Sequence, residues 1–265
     1  MKKILFTLLS VSVILFSCGD SDQDQGAVVP PTPSIQFQVI NEFPHDTSSF
    51  TQGLIVHEGK LYESTGMPTT SWLGPLNLST GSIDKKVVLP ADMFGEGITI
   101  LNNKLYHLTW QNKKGFIYDP VTFKKLGEFP YVTEGWGLTN DGENLIVSDG
   151  TSNLFYYTPD TVKLVKTLSV TDNFGPVPNL NELEFIDGFI YANQWQTPYI
   201  LKINPADGKV VGKLDFKKVQ DQLQQQHRYL DFSNMTLNGI AYDSATKKIY
   251  VTGKNWPVLY EIRFS

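Results

Sequence analysis

The stretch from Phe94 to Trp110 (FGEGITILNNKLYHLTW) carries an acid near its start and a large aromatic side chain at its end. The pattern of this stretch predicts two strands joined at Asn102-Asn103, a residue pair suited to a two-residue hairpin turn. Glu96 stands just before the first strand, and Trp110 stands just after the second. Because the outer ends of an antiparallel hairpin meet, we expect both side chains at one edge of the sheet. A carboxylate beside an indole at a shared mouth is the beginning of a ligand site.

The same strand–turn–strand unit occurs five times. The copies are anchored on the second strand at spacings of 44, 40, 45 and 59 residues, at Tyr62, Tyr106, Ile146, Tyr191 and Tyr250. Self-similarity at 40–45 residues in a chain of strands is typical of propeller blades. The long last spacing has a separate source, because Phe216–Leu230 has apolar residues at helical spacing and predicts one inserted helix.

Two further strand-like segments follow the hairpin in each copy except the last. The fifth copy ends one strand short, and Ile35–Phe43 resembles the missing outer strand. An N-terminal strand that completes the last blade would close the ring without an open sheet edge. The predicted fold is therefore all-β: a five-bladed β-propeller over residues 35–265, with one short helical insertion.

The first residues predict an export signal. Lys2 and Lys3 precede an apolar segment that leads to Cys18, the one cysteine of the chain. Residues 1–18 resemble a lipoprotein signal, in which Cys18 is lipidated and tethers the protein to a membrane; an ordinary signal peptide is the alternative. Residues 19–34 predict a flexible acidic, Pro-rich tether. The expected location is a bacterial cell envelope, on the periplasmic or outer-surface side, or otherwise the exterior.

The charge balance argues against one class of partner. The formal net charge is −5, and the chain contains no basic run. Nucleic-acid binding requires clustered positive charge, so we expect no nucleic-acid partner.

Aligning the five copies defines two rings of residues at the mouth of the propeller. The residues before the first strand of each blade are Gln52, Glu96, Trp136, Asn181 and Asn238. The residues four past each anchor are Gly66, Trp110, Gly150, Trp195 and Lys254. Polar groups that converge beside several tryptophans predict a ligand site, although packing between blades is an alternative for any single tryptophan.

Motifs in every copy resemble one enzyme family. They are Phe50-Thr-Gln-Gly-Leu54, Gly95-Glu-Gly-Ile-Thr99, Glu134-Gly-Trp-Gly-Leu-Thr139, Leu180-Asn-Glu-Leu-Glu184, Ala192-Asn-Gln-Trp195, Leu237-Asn-Gly-Ile-Ala241 and Val251-Thr-Gly-Lys-Asn-Trp256. The chain is similar, from about Phe50 to Trp256, to the glutaminyl-peptide cyclotransferases of the plant and bacterial type. The resemblance implies a five-bladed propeller that converts the N-terminal glutamine of peptides or proteins to pyroglutamate with release of ammonia. It also implies no cofactor and no metal, and we expect a monomer.

The resemblance places the site on eight residues. Those implied to bind the substrate are Phe50, Gln52, Trp110, Trp136 and Trp195, and those implied to be catalytic are Glu96, Lys254 and Asn181. A single carboxylate can take a proton from the attacking α-amine and return one to the leaving ammonia, and Glu96 is the candidate. Lys254, Asn181 and Gln52 are candidate donors to the oxyanion, and their division of labour stays open.

Three further acids, the histidines and the inserted helix have alternative interpretations, and so does the function. Glu134, Glu182 and Glu184 are expected near the mouth, either in the site or in a structural role in which they cap strands or pair with solvent cations. The four histidines show no metal-type spacing. The inserted helix would either wall the pocket or recognise the peptide beyond its first residue, or it would only cover a sheet edge. The alternative function is a lipid-anchored propeller that binds peptides or small molecules without catalysis.

Overall fold

The repeated strand–turn–strand unit forms the inner half of each blade. In the second copy, Asn102 and Asn103 have φ angles of 52° and 57°. Two successive left-handed residues make the tight turn that suits a hairpin, and asparagine tolerates this conformation. The computed structural model of the protein describes residues 30–83 and 86–265. The predicted signal segment with Cys18 and residues 19–29 of the tether lie outside the described residues.

The strands form five antiparallel blades, as predicted. Strand β1 covers Phe37–Pro44. Blade one contains β2 Thr51–His57, β3 Lys60–Thr65, β4 Trp72–Asn77, β5 Ser82–Ile83 and β6 Val87–Val88. Blade two contains β7 Gly95–Leu101, β8 Lys104–Thr109, β9 Lys114–Tyr118 and β10 Lys125–Pro130. Blade three contains β11 Leu138–Asn140, β12 Leu145–Ser148, β13 Asn153–Tyr157 and β14 Leu164–Ser169.

The remaining elements follow a small hairpin. It consists of β15 Thr171–Asp172 and β16 Gly175–Pro176. Blade four contains β17 Leu180–Ile186, β18 Phe189–Gln194, β19 Tyr199–Ile203 and β20 Val210–Asp215. Helix α1, Lys217–Gln226, precedes blade five, which contains β21 Leu237–Asp243, β22 Lys248–Gly253 and β23 Val258–Phe264. Among the described residues, no helix is long and apolar enough to cross a membrane.

The hydrophobic core lies between the blades. Among the described residues, five clusters of buried apolar side chains each combine residues of two neighbouring blades. In one of them, Tyr106 and Leu108 of β8 pack with Leu138 of β11. Each blade therefore buries both faces of its sheet against its neighbours, and burial of this apolar area stabilises the ring.

The N-terminal strand closes the ring, as the sequence predicted. β1 pairs antiparallel with β23, with Phe37 opposite Phe264 and Pro44 opposite Val258. The strand begins and ends slightly later than the predicted Ile35–Phe43. The chain just before it has a second contact, because the backbone of Ile35 donates to the Lys213 carbonyl at 2.8 Å in β20. The N-terminal segment thus joins blades four and five.

The inserted helix is shorter than predicted. We expected Phe216–Leu230, but α1 ends at Gln226, and His227 leaves the helical conformation with φ −118°. Residues after it form a turn in which the Leu230 amide donates to the His227 carbonyl at 2.9 Å. Val219 and Leu223 are buried against blades four and five. The helix therefore covers the boundary between these two blades.

Candidate active site

Nine side chains surround one cavity at the mouth of the propeller. Its volume is about 250 Å³, and it contains all eight predicted site residues together with Phe94. The members are Phe50, Gln52, Phe94, Glu96, Trp110, Trp136, Asn181, Trp195 and Lys254. Seven of the ten ring positions thus line this cavity, whereas Gly66, Gly150 and Asn238 do not.

A β-bulge brings the polar members to the axis. The pairing of the first two strands shifts by one residue at equivalent places in four blades, between Thr51 and Gly53 in blade one and between Gly95 and Ile98 in blade two, and likewise in blades four and five. Glu96 was predicted just before the first strand, but it lies inside β7 at this bulge. A bulge re-aims a side chain without ending the strand, which explains the difference.

Glycine next to the bulge lets neighbouring inner strands approach closely. The Gly97 amide donates to the Trp136 carbonyl at 2.8 Å. A Cβ atom on Gly97 would lie 2.4 Å from the Leu138 amide nitrogen, closer than non-bonded atoms allow. The backbone contact therefore ties the position of Glu96 to that of Trp136 in the next blade.

Glu96 is a buried carboxyl in a largely apolar pocket. Glu96 is only 4% exposed, and its Oε2 atom has no hydrogen-bond partner among the described residues. Burial raises the pKa of Glu96 well above its ordinary value, Lys254 opposes that shift, and Glu134 adds to it. A carboxyl with a raised pKa can exchange a proton near neutral pH, which is the property of a general acid or base.

Lys254 is the buried cation of the site. It is 5% exposed, and its Nζ atom lies 4.7 Å from the centroid of the Phe50 ring, a cation–π contact. Burial lowers the pKa of Lys254 to about 8, while Glu96 acts in the opposite direction. The ammonium of Lys254 therefore loses its proton near pH 8 and is a positively charged donor below that pH.

Two carboxamides complete the polar lining. The Oδ1 atom of Asn181 is buried without a partner among the described residues. The Oε1 atom of Gln52 accepts a hydrogen bond from Asn238 Nδ2 at 3.2 Å. Asn238, also predicted on the first ring, is fully buried and does not line the cavity. It orients Gln52 instead, which leaves the NH2 group of Gln52 available to a ligand.

Aromatic rings form the walls. The Phe94 ring lies 6.1 Å from Phe50 and 5.7 Å from Trp110, and Trp136 meets Trp195 edge-on at 5.5 Å. Such edge contacts are favourable for aromatic pairs and limit the movement of each ring. The glycines of the second ring have a role here, because Cβ atoms on Gly66 and Gly150 would overlap the rings of Phe94 and Trp136. These two glycines make room for the aromatic walls.

Glu134 holds two of the tryptophans. Its Oε2 atom accepts hydrogen bonds from the indole nitrogens of Trp110 at 2.8 Å and of Trp136 at 3.1 Å. Sequence reasoning left the role of Glu134 open and missed Phe94. Both stand two residues before a first-ring position, as does Phe50, so the repeat register contained a signal that could have identified them.

The other two acids lie deeper along the axis than we expected. Glu182 accepts hydrogen bonds from the amides of Leu54 at 3.1 Å and Ile240 at 2.8 Å, which belong to blades one and five. Glu184 accepts one from the Tyr242 amide at 2.7 Å and lines a separate cavity of about 290 Å³ at the far ends of the inner strands. Both accept from backbone amides inside inner strands of other blades, so they neither line the aromatic cavity nor cap a strand end, and the expected positions were wrong for these two acids.

The lining offers few atoms suited to a metal ion. In residues 30–83 and 86–265, no group of three His, Cys, Asp or Glu side chains could hold a metal ion. The cavity instead combines one carboxyl, one ammonium and two carboxamides inside aromatic walls. This set can bind a small amine or amide, transfer a proton to or from it, and stabilise an oxyanion.

Comparisons with known proteins agree on one family. The sequence model of the family described as glutamine cyclotransferase matches residues 10–264. The chain is 38% identical over 266 residues to a glutaminyl-peptide cyclotransferase of Arabidopsis thaliana, covering 98% of this chain and 82% of the plant protein. It also resembles the crystal structure of Myxococcus xanthus glutaminyl cyclase, with a TM-score of 0.83, 35% identity, and coverage of 89% of this chain and 99% of the bacterial one.

Proposed function

The chain belongs to the glutamine cyclotransferase family, and we propose that it converts the N-terminal glutamine of peptides or proteins to pyroglutamate with release of ammonia. It is thus a transferase, a glutaminyl-peptide cyclotransferase. The observation that carries the mechanism is the buried carboxyl of Glu96 in the aromatic cavity. The alternative of a propeller that only binds its ligand is not favoured, because the family and the relatives are named for catalysis.

The reaction requires two proton transfers. The α-amine of the substrate attacks its own γ-carboxamide carbon, forming a C–N bond and a tetrahedral oxyanion. The former amide nitrogen then leaves as ammonia, so the α-nitrogen must lose a proton and the leaving nitrogen must gain one. We assign both transfers to Glu96, first as base and then as acid. Its raised pKa favours this exchange, because the carboxylate holds the proton well enough to carry it between the two nitrogens.

The polar neighbours would stabilise the oxyanion. Lys254 can donate from its ammonium, and the NH2 group of Gln52 is left free by Asn238. Asn181 presents a buried carbonyl oxygen without a partner, which suits an N–H of the substrate rather than the oxyanion. The carboxamide of Asn181 would therefore orient the amine, whereas Lys254 and Gln52 would face the developing negative charge.

The aromatic walls would hold the substrate in a folded shape. Ring closure requires the amine and the carboxamide carbon of one short side chain to approach each other, and confinement in a cavity of about 250 Å³ favours that conformation. The walls also exclude water, which strengthens the charge interactions of Glu96 and Lys254.

We propose further that no metal ion takes part. A catalytic zinc site typically uses three protein ligands, whereas the described residues that line the cavity include one side chain of that kind, Glu96. The single-carboxylate mechanism therefore predicts that a chelator leaves the rate unchanged.

The test is conversion of a synthetic peptide that begins with glutamine. Mass spectrometry would follow loss of the mass of one ammonia, and released ammonia would be measured in parallel, with and without a chelator. The same peptide with an added alanine before the glutamine serves as control. We expect equal amounts of pyroglutamyl peptide and ammonia from the first peptide alone. Conversion no faster than the spontaneous reaction would contradict the proposal.

We also propose export to a bacterial envelope through a lipid on Cys18. The support is the sequence alone: a basic start, an apolar segment, and the one cysteine directly after them. Expression of wild type and Cys18→Ser in a bacterial host tests it. Wild type should fractionate with membranes and Cys18→Ser should not, and equal distribution of the two would contradict the lipid anchor.

A further inference from the structure

A larger cavity adjoins the aromatic pocket. Its volume is about 620 Å³, and it shares Phe50, Trp195 and Lys254 with the pocket. A ligand whose first residue fills the pocket can therefore extend past these shared walls into the larger cavity. We propose that this groove binds the backbone of the second and third residues of the peptide substrate. The inference rests on the proposed function and extends it from the reacting residue to the peptide that follows.

The groove carries neutral amide side chains at its rim. Gln196 and Asn234 line it, both are exposed, and neither carboxamide has a hydrogen-bond partner among the described residues. A carboxamide offers donors and an acceptor, which matches the N–H and C=O of a peptide group. Thr236, another lining residue, has a buried hydroxyl without a partner in the described part of the chain. The free polar groups therefore suit the backbone of a peptide.

The groove is formed by backbone in uncommon conformations. Met67, Gln196 and Asn255 all line it, and their φ angles are 107°, 63° and 58°. Left-handed residues other than glycine are infrequent, and a value like that of Met67 persists only where surrounding contacts enforce it. Asn255 shows such a contact, because its side chain donates to the Thr47 carbonyl at 2.9 Å. The wall at Asn255 is thus held in place before a ligand arrives, as expected for a binding site.

The charge of the groove predicts the class of ligand. Among the described residues, Lys254 is its one charged lining residue, and it lies at the junction with the pocket. The rest of the described lining is neutral, so away from Lys254 the groove offers no charge that would select a charged side chain at the second or third position. Recognition through the backbone predicts a preference for longer peptides over glutamine derivatives, with tolerance of the side chains that follow.

The experiment compares substrates of increasing length on the full-length protein. Glutamine amide, a Gln-Ala amide and a Gln-Ala-Ala amide would be assayed for kcat/KM. The variants Gln196→Met and Asn234→Leu keep side-chain size but remove the carboxamide. Gln225→Met, at an exposed position on α1 outside the groove, is the matched control.

We expect kcat/KM of wild type and of Gln225→Met to rise about two- to tenfold per hydrogen bond gained along the series. Gln196→Met and Asn234→Leu should flatten the rise and leave the rate on glutamine amide within about twofold of wild type. Turnover that does not depend on length, or equal losses on all three substrates, would overturn the groove alone. Absence of turnover with every substrate would overturn the proposed function and the groove together.

Discussion

At the scale of single residues, the site depends on the Glu96 carboxyl, which is buried away from the water that would stabilise its negative charge. The aromatic walls and the burial of Glu96 raise its pKa, while Lys254 limits the rise. The same burial lowers the pKa of Lys254 to about 8. A buried acid with a raised pKa beside a cation with a lowered pKa suits a reaction with two proton transfers.

Glu134 offers a test of this electrostatic account. Its negative charge contributes to the raised pKa of Glu96. Glu134→Gln removes the charge but keeps an acceptor for the indoles, so the pKa of Glu96 should fall. Because the base form of Glu96 would then persist at lower pH, the acidic limb of the kcat/KM profile should move to lower pH. The pH–rate profiles of wild type and variant measure this shift, and coincident acidic limbs would contradict it.

Removing the side chain tests the second role of Glu134. Glu134→Ala deletes the acceptor for the Trp110 and Trp136 indoles, at 2.8 Å and 3.1 Å. The two rings lose a fixed orientation, so we expect KM to rise about two- to tenfold per hydrogen bond lost. Steady-state kinetics on the glutamine tripeptide would measure it. If KM stays at the wild-type value in Glu134→Ala, these hydrogen bonds do not position the walls.

At the scale of elements, the bulge in the inner strands determines which side chains reach the axis. In a regular strand, the direction of the Glu96 side chain would follow from the alternation of residues along the strand. The register shift between Gly95 and Ile98 changes this direction and turns the side chain into the cavity. Within this bulge, glycine at position 97 allows close contact with the inner strand of the next blade.

Gly97→Ala should therefore damage both stability and activity. The added Cβ would lie 2.4 Å from the Leu138 amide nitrogen, and the strands would have to separate. We expect a loss of about 1–3 kcal/mol in the free energy of unfolding, together with lower kcat/KM. Gly127→Ala in β10 is the matched control, because a Cβ there meets nothing within 4 Å. Denaturant unfolding measures the stability of the two variants, and the cyclisation assay measures their kcat/KM. Equal stability of the two variants would contradict the close approach at Gly97.

The sequence predicted the elements well where local signals specify them. Asn102-Asn103 and the strands on each side of it were evident from turn chemistry and alternation. The bulge was not evident from the sequence, because a single extra residue leaves the alternation of apolar and polar residues almost unchanged. The end of α1 was placed too late, since Leu230 continued an apolar spacing that the chain leaves at His227.

At the scale of the whole molecule, the ring could be predicted because every blade repeats the same pattern. The closing strand followed from counting strands per blade, and its pairing with β23 confirms it. The contact of Ile35 with Lys213 in blade four could not be predicted, because isolated backbone hydrogen bonds leave no trace in residue types. The axial positions of Glu182 and Glu184 were missed for a related reason: their partners are backbone amides of distant blades.

These axial acids make stability depend on pH. Burial raises the pKa of Glu184 from an ordinary 4.5 to about 8. Between these pH values the unfolded chain releases the proton while the folded protein keeps it, so the free energy of unfolding falls as pH rises. The slope is at most about 1.4 kcal/mol per pH unit for one group. Below that window the contribution of Glu184 is fully present.

Glu184→Gln isolates this effect. The carboxamide cannot ionise, so the stability of the variant relative to wild type should rise as pH increases from about 4.5 to about 8. Glu143→Gln, at an exposed turn, is the matched control and should show a constant difference from wild type. Thermal unfolding across this pH range measures both. A constant difference between Glu184→Gln and wild type would contradict a protonated Glu184 in the axis.

The central claim is that the Glu96 carboxylate carries both proton transfers of the cyclisation. The most direct measurement is the rate of pyroglutamate formation by Glu96→Gln on a glutamine peptide, with Glu143→Gln as a control that removes an exposed carboxylate elsewhere. We predict a fall of about 10²- to 10⁴-fold for Glu96→Gln in a folded protein and a wild-type rate for the control. Turnover by Glu96→Gln close to that of wild type would contradict the account.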